Sequence, residues 1–192
     1  MFVGAINSKV RDLIFSEREI FRDRQVCIGC SGNFTIEQIL SGLNCRIHSN
    51  DISLYSSLIG FHLAGLPLAM EIRVEKYAWL RPYLADSLSA IAALTLLFEM
   101  LKFEKGNNLQ QIRVAEQYLA QFADLHEKTC RRLADTCAKI AIDRYTTQDV
   151  HDLYEQLPAD WIRIAFLPTY IGGYERLYKR LEEIVSWEVP PL

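Results

Sequence analysis

No stretch of this sequence approaches the roughly 18 consecutive apolar residues that a membrane-crossing helix needs. Its first residues, Met1-Phe2-Val3-Gly4-Ala5, lack the basic-then-apolar layout of a secretory leader. A soluble, cytoplasmic protein is expected. A basic surplus is missing too: the 192 residues carry a formal charge of −3 with a pI near 5.8, so no global positive field draws the chain to nucleic acid. The five cysteines are odd in number and form no secreted disulfide framework. Cys27-Ile28-Gly29-Cys30 has redox or zinc-ligand spacing, but neither a second Cys pair nor a His-x-x-x-His follows, and Cys27 lies inside an apolar run. Cys130 and Cys137 share one helical face, where core packing is the simpler reading. Internal repeats and low-complexity tracts are also lacking.

Half of the residues are apolar, enough for one domain with an elaboration. Residues 8–24 carry Val10, Leu13, Ile14, Ile20 and Phe21 among charges and read as an amphipathic helix capped by Asn7 or Ser8. Gln25 to Gly29 is a short strand running into Gly29-Cys30-Ser31-Gly32-Asn33, and Thr35 opens a helix. Asn44 to His48 reads as a second strand ended by Ser49-Asn50-Asp51, and Ile52 to Gly65 as a second helix. Third and fourth strands are expected at 139–142 and 161–166, with helices near 147–156 and 174–185. Alternating strands and helices imply a parallel sheet of Rossmann-like, doubly wound α/β type. Four strands are fewer than such a sheet normally has, so the domain reads as incomplete, a fragment or half of a complex.

Between Tyr83 and Ala138 the composition changes to Ala, Leu, Gln, Glu and Lys without internal proline, broken at Lys105-Gly106-Asn107-Asn108. Two long helices forming a hairpin are expected. The division is then 1–75 for the first half of the Rossmann-like domain, 76–138 for the inserted hairpin and 139–192 for the remaining strands. Arg113, Lys128, Arg131 and Arg132 offer a DNA-facing surface, although charges on a helical face are usually just solvated. The apolar helix Leu88 to Leu101 points instead to packing against a protein partner or a second copy.

A phosphate-free cofactor such as S-adenosylmethionine needs three things from a doubly wound sheet. They are a side-chain-free turn after the first strand, an acid after the second for the ribose, and polar groups after the third for the base. Gly29 and Gly32 supply the turn, and Asp51 follows Gly32 by 19 residues at the tip of the second strand. The plainer role for Asp51 is the N-cap of the helix after it. At the end of the fourth strand, Leu167-Pro168-Thr169-Tyr170 presents a tyrosine that could stack on a base, with a packing tyrosine as the simpler alternative.

Together these segments resemble the DNA adenine-N6 methyltransferases, most closely a group of antirestriction adenine methyltransferases of phages and bacteria. The resemblance covers most of the chain outside the helical segment. It implies S-adenosylmethionine as cofactor, DNA as substrate and a class I methyltransferase fold. Phe2, Gly4 and Lys9 are similar to the N-terminal motif that closes over the cofactor's methionine end. Gly29, Cys30, Ser31, Gly32 and Asn33 are similar to the glycine-rich motif, and Asp51 with Ile52 to the acidic motif that holds the ribose. Asp149, with Asp143 as rival, takes the place of the acid that contacts the cofactor's adenine. Leu167, Pro168, Thr169 and Tyr170 stand where active enzymes carry Asp/Asn-Pro-Pro-Tyr. Leu167 cannot accept the hydrogen bond that aligns the target amine. The alternative function is therefore a weak or inactive scaffold that works as a binding protein through its helical segment.

Overall fold

The computed structural model describes residues 6–104, 108–167 and 173–187, the side chains of 173–177 excepted. They divide into two compact units. One holds residues 6–67 and 137–167, and the other 68–136 and 173–187 apart from 105–107.

The first unit is built on a parallel sheet. Its elements are α1 (Ser8–Ser16), β1 (Gln25–Gly29), α2 (Thr35–Leu40), β2 (Arg46–Asn50), α3 (Leu54–Leu63), β4 (Arg144–Thr146), α7 (Val150–Gln156) and β5 (Ile162–Ala165). The strands lie in the order β4-β2-β1-β5, each parallel to its neighbour. Two strands step outward from β1 on one side and β5 flanks it on the other, so the strand order reverses beside β1. Ligands of such sheets bind at the carboxyl ends of the strands at that reversal. This order is compatible with the expected Rossmann-like sheet.

Side chains alternate between the faces of a strand. Val26, Ile28 and Ile47 point to one face and pack with Ile36, Leu40, Leu43 and Phe21 in a buried cluster. Gly29 points to the other face, where Val150 and Tyr154 of α7 approach so closely that a β-carbon at Gly29 would overlap them. Helices therefore cover both faces.

Several boundaries depart from the sequence reading. The N-terminal helix ends at Ser16, and a 3-10 helix occupies Arg18–Phe21, turned so that Phe21 is buried. The second strand starts two residues later than expected because Asn44 adopts a left-handed turn (φ 56°). Ser49 and Asn50 are consequently part of the strand rather than its terminator. The third strand lies at 144–146, not 139–142: Ile140 closes the turn after Cys137, and the Ala141 N–H donates to the Ser41 hydroxyl instead of a ladder.

The second unit contains β3 (Met70–Ile72), a 3-10 helix (Glu75–Leu84), α4 (Ser87–Glu104), α5 (Leu109–Ala120), α6 (Phe122–Cys137, all but its last residue), α8 (Gly173–Ile184) and β6 (Val185–Trp187). The antiparallel pair β3–β6 was not expected from sequence. Where two helices were expected after Tyr83, there are three. The chain breaks at Gln121, the C-cap of α5, and Phe122 is buried with its ring edge-on to Trp79 (4.7 Å) and Tyr83 (5.1 Å). That aromatic anchor breaks the helix with neither glycine nor proline. Of the expected break, 105–107 lie outside the described residues, while the Asn108 side chain caps α5 through the Gln110 N–H. The apolar stretch of α4, expected to await a partner or second copy, is buried within the chain itself from Ala90 to Leu97. Among the described residues no helix is long and apolar enough to cross a membrane.

Candidate functional site

β1 ends at Gly29 and enters a loop in which alternate residues are left-handed: Cys30 (φ 58°), Gly32 (φ 57°) and Phe34 (φ 58°). Glycine adopts this conformation freely, whereas Cys30 and Phe34 each bear roughly 1–2 kcal/mol of steric cost. Phe34 is compensated by complete burial beside Tyr145, ring centroids 6.1 Å apart. The loop is tied to the end of β2 throughout. The Ser31 N–H donates to the Asn50 carbonyl (3.1 Å), the Gly32 N–H to Asp51 Oδ2 (2.8 Å), and the Ser56 hydroxyl to the Gly32 carbonyl (2.8 Å).

Asp51 thus sits at the carboxyl edge beside the glycine loop. Its second oxygen, Oδ1, accepts from the Ser53 N–H at 2.8 Å. The N-cap of α3 is Ser53, so the capping role read for Asp51 is corrected to a brace between strand end and loop. The residue is half-buried. An ionised carboxylate offers about four acceptor directions, and two are in use here.

Beyond β4, Asn50 clamps the next loop: its Oδ1 accepts from Thr146 Oγ1 (2.9 Å) and the Gln148 N–H (3.1 Å), and its amide donates to the Gln148 carbonyl (3.0 Å). Asp149 follows at the same edge. Its Oδ1 caps α7 by accepting from the His151 N–H (2.7 Å) and the Asp152 N–H (3.4 Å). The rival Asp143 stands at the opposite, amino edge, where its Oδ2 accepts from the Ile47 N–H at 2.6 Å. It is therefore removed from the group around the glycine loop.

Burial, aided by the negative charges of Asp51 and Asp149, pushes the Cys30 thiol up to about 11. Burial likewise pushes Cys27 to about 12. Neither thiol has the lowered pKa of a reactive or metal-binding cysteine. Among the described residues no cluster of metal-ligating side chains is present.

Three of the residues that shape the site were not singled out from the sequence. Tyr154 accepts from the Gly29 N–H (3.2 Å) and donates to the Ile164 carbonyl (2.5 Å), pinning β1 and β5 together at the reversal point. Val150, Leu153 and Tyr154 have helical i, i+3, i+4 spacing, which was the available signal. Tyr145 donates to the Asp51 carbonyl (2.8 Å). Glu37 of α2 is fully buried; its Oε1 accepts from the Ser49 hydroxyl (2.9 Å), and its Oε2 has no hydrogen-bond partner among the described residues. Burial pushes its carboxyl up to about 7, partly opposed by the hydroxyls of Ser31 and Ser49 and reinforced by Asp51. Its three-residue spacing from the apolar Leu40 could have marked it as inward-facing.

Of the other sequence candidates, Asn33 accepts from the Thr35 hydroxyl at 2.6 Å and Ile52 is exposed beside Asp51. Lys9 is exposed in the first turn of α1. Leu167 stands two residues past the end of β5, at the carboxyl edge, and is 56% exposed. Phe2, Gly4, Pro168, Thr169 and Tyr170 lie outside the described residues. In the second unit, Arg113, Lys128, Arg131 and Arg132 are exposed, and Arg131 is paired with Glu127.

The glycine loop, Asp51 and Asp149 thus follow the carboxyl ends of β1, β2 and β4 at one edge of the parallel sheet. No curated protein and no solved structure matches the chain. A family model described as phage DNA adenine methylase-like domain 1 matches residues 2–192. The chain belongs to this family of phage DNA adenine methylase-like domains.

Proposed function

We propose that this chain is an S-adenosylmethionine-dependent methyltransferase acting on adenine N6 in DNA, with the cofactor held at the carboxyl edge of the sheet. The observation that carries this reading is the joining of Asp51 to the Gly32 N–H, at the point where the strand order reverses. The residues fit the cofactor. Among the described residues, a β-carbon built on Gly32 would meet only the Cys30 carbonyl, at 3.8 Å, which leaves room over the turn. Asp51 keeps acceptor capacity for two ribose hydroxyls. Asp149 caps α7 through Oδ1 alone, which suits Oδ2 to an amino group on the adenine ring. Phe2, Gly4 and Lys9 complete the proposed site at the methionine end.

When bound, S-adenosylmethionine supplies an electrophilic methyl group on a sulfonium. The protein's own work is to orient and exclude water. A flipped adenine would enter beside Leu167 to Tyr170, with Tyr170 stacking on the base and the backbone carbonyl after Leu167 accepting from the amine. Methyl groups placed on adenines within restriction sites would shield the DNA carrying them, which is the antirestriction role implied by the resemblance. Leu167 favours a second reading, a cofactor-binding scaffold with weak catalysis that works through a partner.

The test is calorimetric titration with S-adenosylmethionine and S-adenosylhomocysteine, on the wild type and on Asp51→Ala checked for folding by circular dichroism. It is followed by transfer of labelled methyl to adenine-containing duplex DNA. Micromolar binding weakened at least tenfold, about 1.4 kcal/mol, together with label in N6-methyladenine, supports the enzyme. Binding without transfer supports the scaffold. No binding of either ligand sinks both cofactor readings.

A further inference from the structure

The opposite, amino edge of the sheet carries a cavity of about 280 Å³, lined by Gln25, Arg46, Ile47, His48, Asp143, Arg144 and Trp161. Register explains the grouping. Gln25 pairs with Arg46, and His48 with Arg144, so alternation projects these side chains from one face, opposite to the apolar cluster of Val26, Ile28 and Ile47. Arg46 stands four residues before Asn50, about 13 Å along the strand from the carboxyl edge at roughly 3.3 Å per residue. The two sites are separate.

The lining has a definite chemistry. Arg46 and Arg144 are exposed, and among the described residues neither guanidinium has an ion-pair or hydrogen-bond partner. Some exposed arginines pair, as Arg22 does with Glu19, and others such as Arg11 and Arg113 do not among the described residues; what sets Arg46 and Arg144 apart is that both line one cavity together with Trp161. Guanidinium groups are well suited to bidentate contact with phosphate. Trp161 is half-buried, with its indole edge-on to the His48 ring at 6.2 Å. Its loop is fixed from below, because the Arg163 guanidinium donates to the carbonyls of Leu157 (2.9 Å) and Pro158 (3.1 Å), and the Trp161 N–H to that of Pro158. The imidazole of His48 is buried and held by Thr146 Oγ1 at 2.8 Å. Asp143 is anchored by the Ile47 N–H through one oxygen and can accept from an amino or sugar hydroxyl group.

Two unpaired guanidiniums, a fixed indole and one spare carboxylate acceptor match the three parts of a nucleotide. We propose that this cavity binds a nucleoside monophosphate, with the phosphate on Arg46 and Arg144, the base against Trp161 and an amino or hydroxyl group on Asp143. An inorganic anion alone would meet the charge of Asp143 without benefit from Trp161. The cavity volume suits a single nucleotide unit better than a larger cofactor.

The test uses adenosine 5′-monophosphate as probe, titrated calorimetrically against the wild type, the double variant Arg46→Gln/Arg144→Gln, and Asp51→Ala. The two arginines are exposed and unpaired, so their replacement leaves the fold intact, which thermal melting checks. Binding that falls at least tenfold in the double variant and stays within twofold in Asp51→Ala is expected, with adenosine and inorganic phosphate each binding at least tenfold more weakly than the monophosphate. Loss in Asp51→Ala but not in the double variant overturns the proposal, since the probe would then occupy the carboxyl edge. No binding of the mononucleotide, equal binding of inorganic phosphate, or binding only of a single-stranded oligonucleotide also overturns it.

Discussion

Asp51 and Gly32 are joined by a hydrogen bond of 2.8 Å from the glycine N–H to Oδ2, which ties the tip of β2 to the loop after β1. The other oxygen holds the Ser53 N–H, so a single carboxylate sets both the loop and the entry to α3. Asp51→Ala leaves two part-buried donors without their partner, and hydrogen bonds to charged groups are worth about 1.5–3 kcal/mol each. A loss of about 2 kcal/mol is expected in urea unfolding, partial exposure having trimmed the total. Asp51→Asn keeps the acceptor toward one N–H and should lose about half of that. If the loop bond also prepares the ribose site, Asp51→Asn binds S-adenosylmethionine less tightly than its stability alone would suggest. Equal stability of the three proteins would remove the bracing role.

Gly29 is required by its neighbours rather than by its backbone angle. A β-carbon there would overlap Val150 and come within 2.8 Å of Tyr154 Oη. Overpacking of this kind costs about 1–3 kcal/mol. Gly29→Ala is therefore expected to lower the unfolding midpoint, and Val150→Ala in the same chain to recover part of the loss, a coupling that a double-mutant cycle measures. Tyr154→Phe relieves little of the overlap and removes the partner of both the Gly29 N–H and the Ile164 carbonyl. It should itself cost about 1–3 kcal/mol. Additive effects of Gly29→Ala and Val150→Ala would show that the helix yields freely.

Element types in the first unit were legible because the short apolar runs are bounded by turn residues, and the glycine loop and Asp51 were legible because their spacing fits a parallel strand order. Boundaries were less so. Ile140 and Ile142 alternate like a strand, yet Ile140 is taken into the turn after Cys137, and the ladder begins only after Asp143 has bonded Ile47 from both backbone and side chain. Asp149 was offered only by the resemblance, with Asp143 as rival, and its capping of α7 was hidden by the uncertain start of that helix. The break before Phe122 had no local signal at all, because it depends on Trp79 and Tyr83, some forty residues away in sequence. Long-range anchoring of this kind is invisible to periodicity.

Glu37 should make stability depend on pH. Its carboxyl is pushed from the ordinary 4.5 up to about 7 in the folded chain. A raised folded pKa means that the folded state holds the proton more tightly. The contribution is fully present below pH 4.5 and is lost as pH rises through about 7. His48 acts in the opposite sense: burial lowers its imidazole from 6.5 to about 4, so its contribution is present above pH 6.5 and lost as pH falls through 4. The two slopes offset each other between about 4.5 and 6.5, which conceals both in the wild type. Glu37→Gln separates them. Its stability relative to wild type should climb between pH 4.5 and 7 and then level off, by up to about 3 kcal/mol at 1.36 kcal/mol per pKa unit. A difference that does not change with pH would mean that Glu37 titrates in the folded chain as it does in the unfolded one.

Leu167 gives the sharpest test of the methyl-transfer proposal, because it stands where an acceptor for the target amine is expected and is 56% exposed at the carboxyl edge. Its replacement by a polar residue carries little folding cost, since so much of the side chain already meets water. Leu167→Asn supplies a carbonyl oxygen, and Leu167→Asp a carboxylate. Either can accept from an amine while the base nitrogen faces the methyl group. A single aligned polar group at a reacting centre is worth about 2.7–4 kcal/mol, or roughly a hundredfold or more in rate. The gain should appear in kcat for labelled methyl transfer to adenine in DNA, with S-adenosylmethionine affinity unchanged, because the residue orients the substrate and not the cofactor. A rise in kcat for Asn and Asp, absent in Leu167→Ala, would identify the wild-type chain as an enzyme slowed at one position. Unchanged rates in Asn and Asp, with cofactor binding intact, would instead assign the chain to cofactor-bound scaffolding.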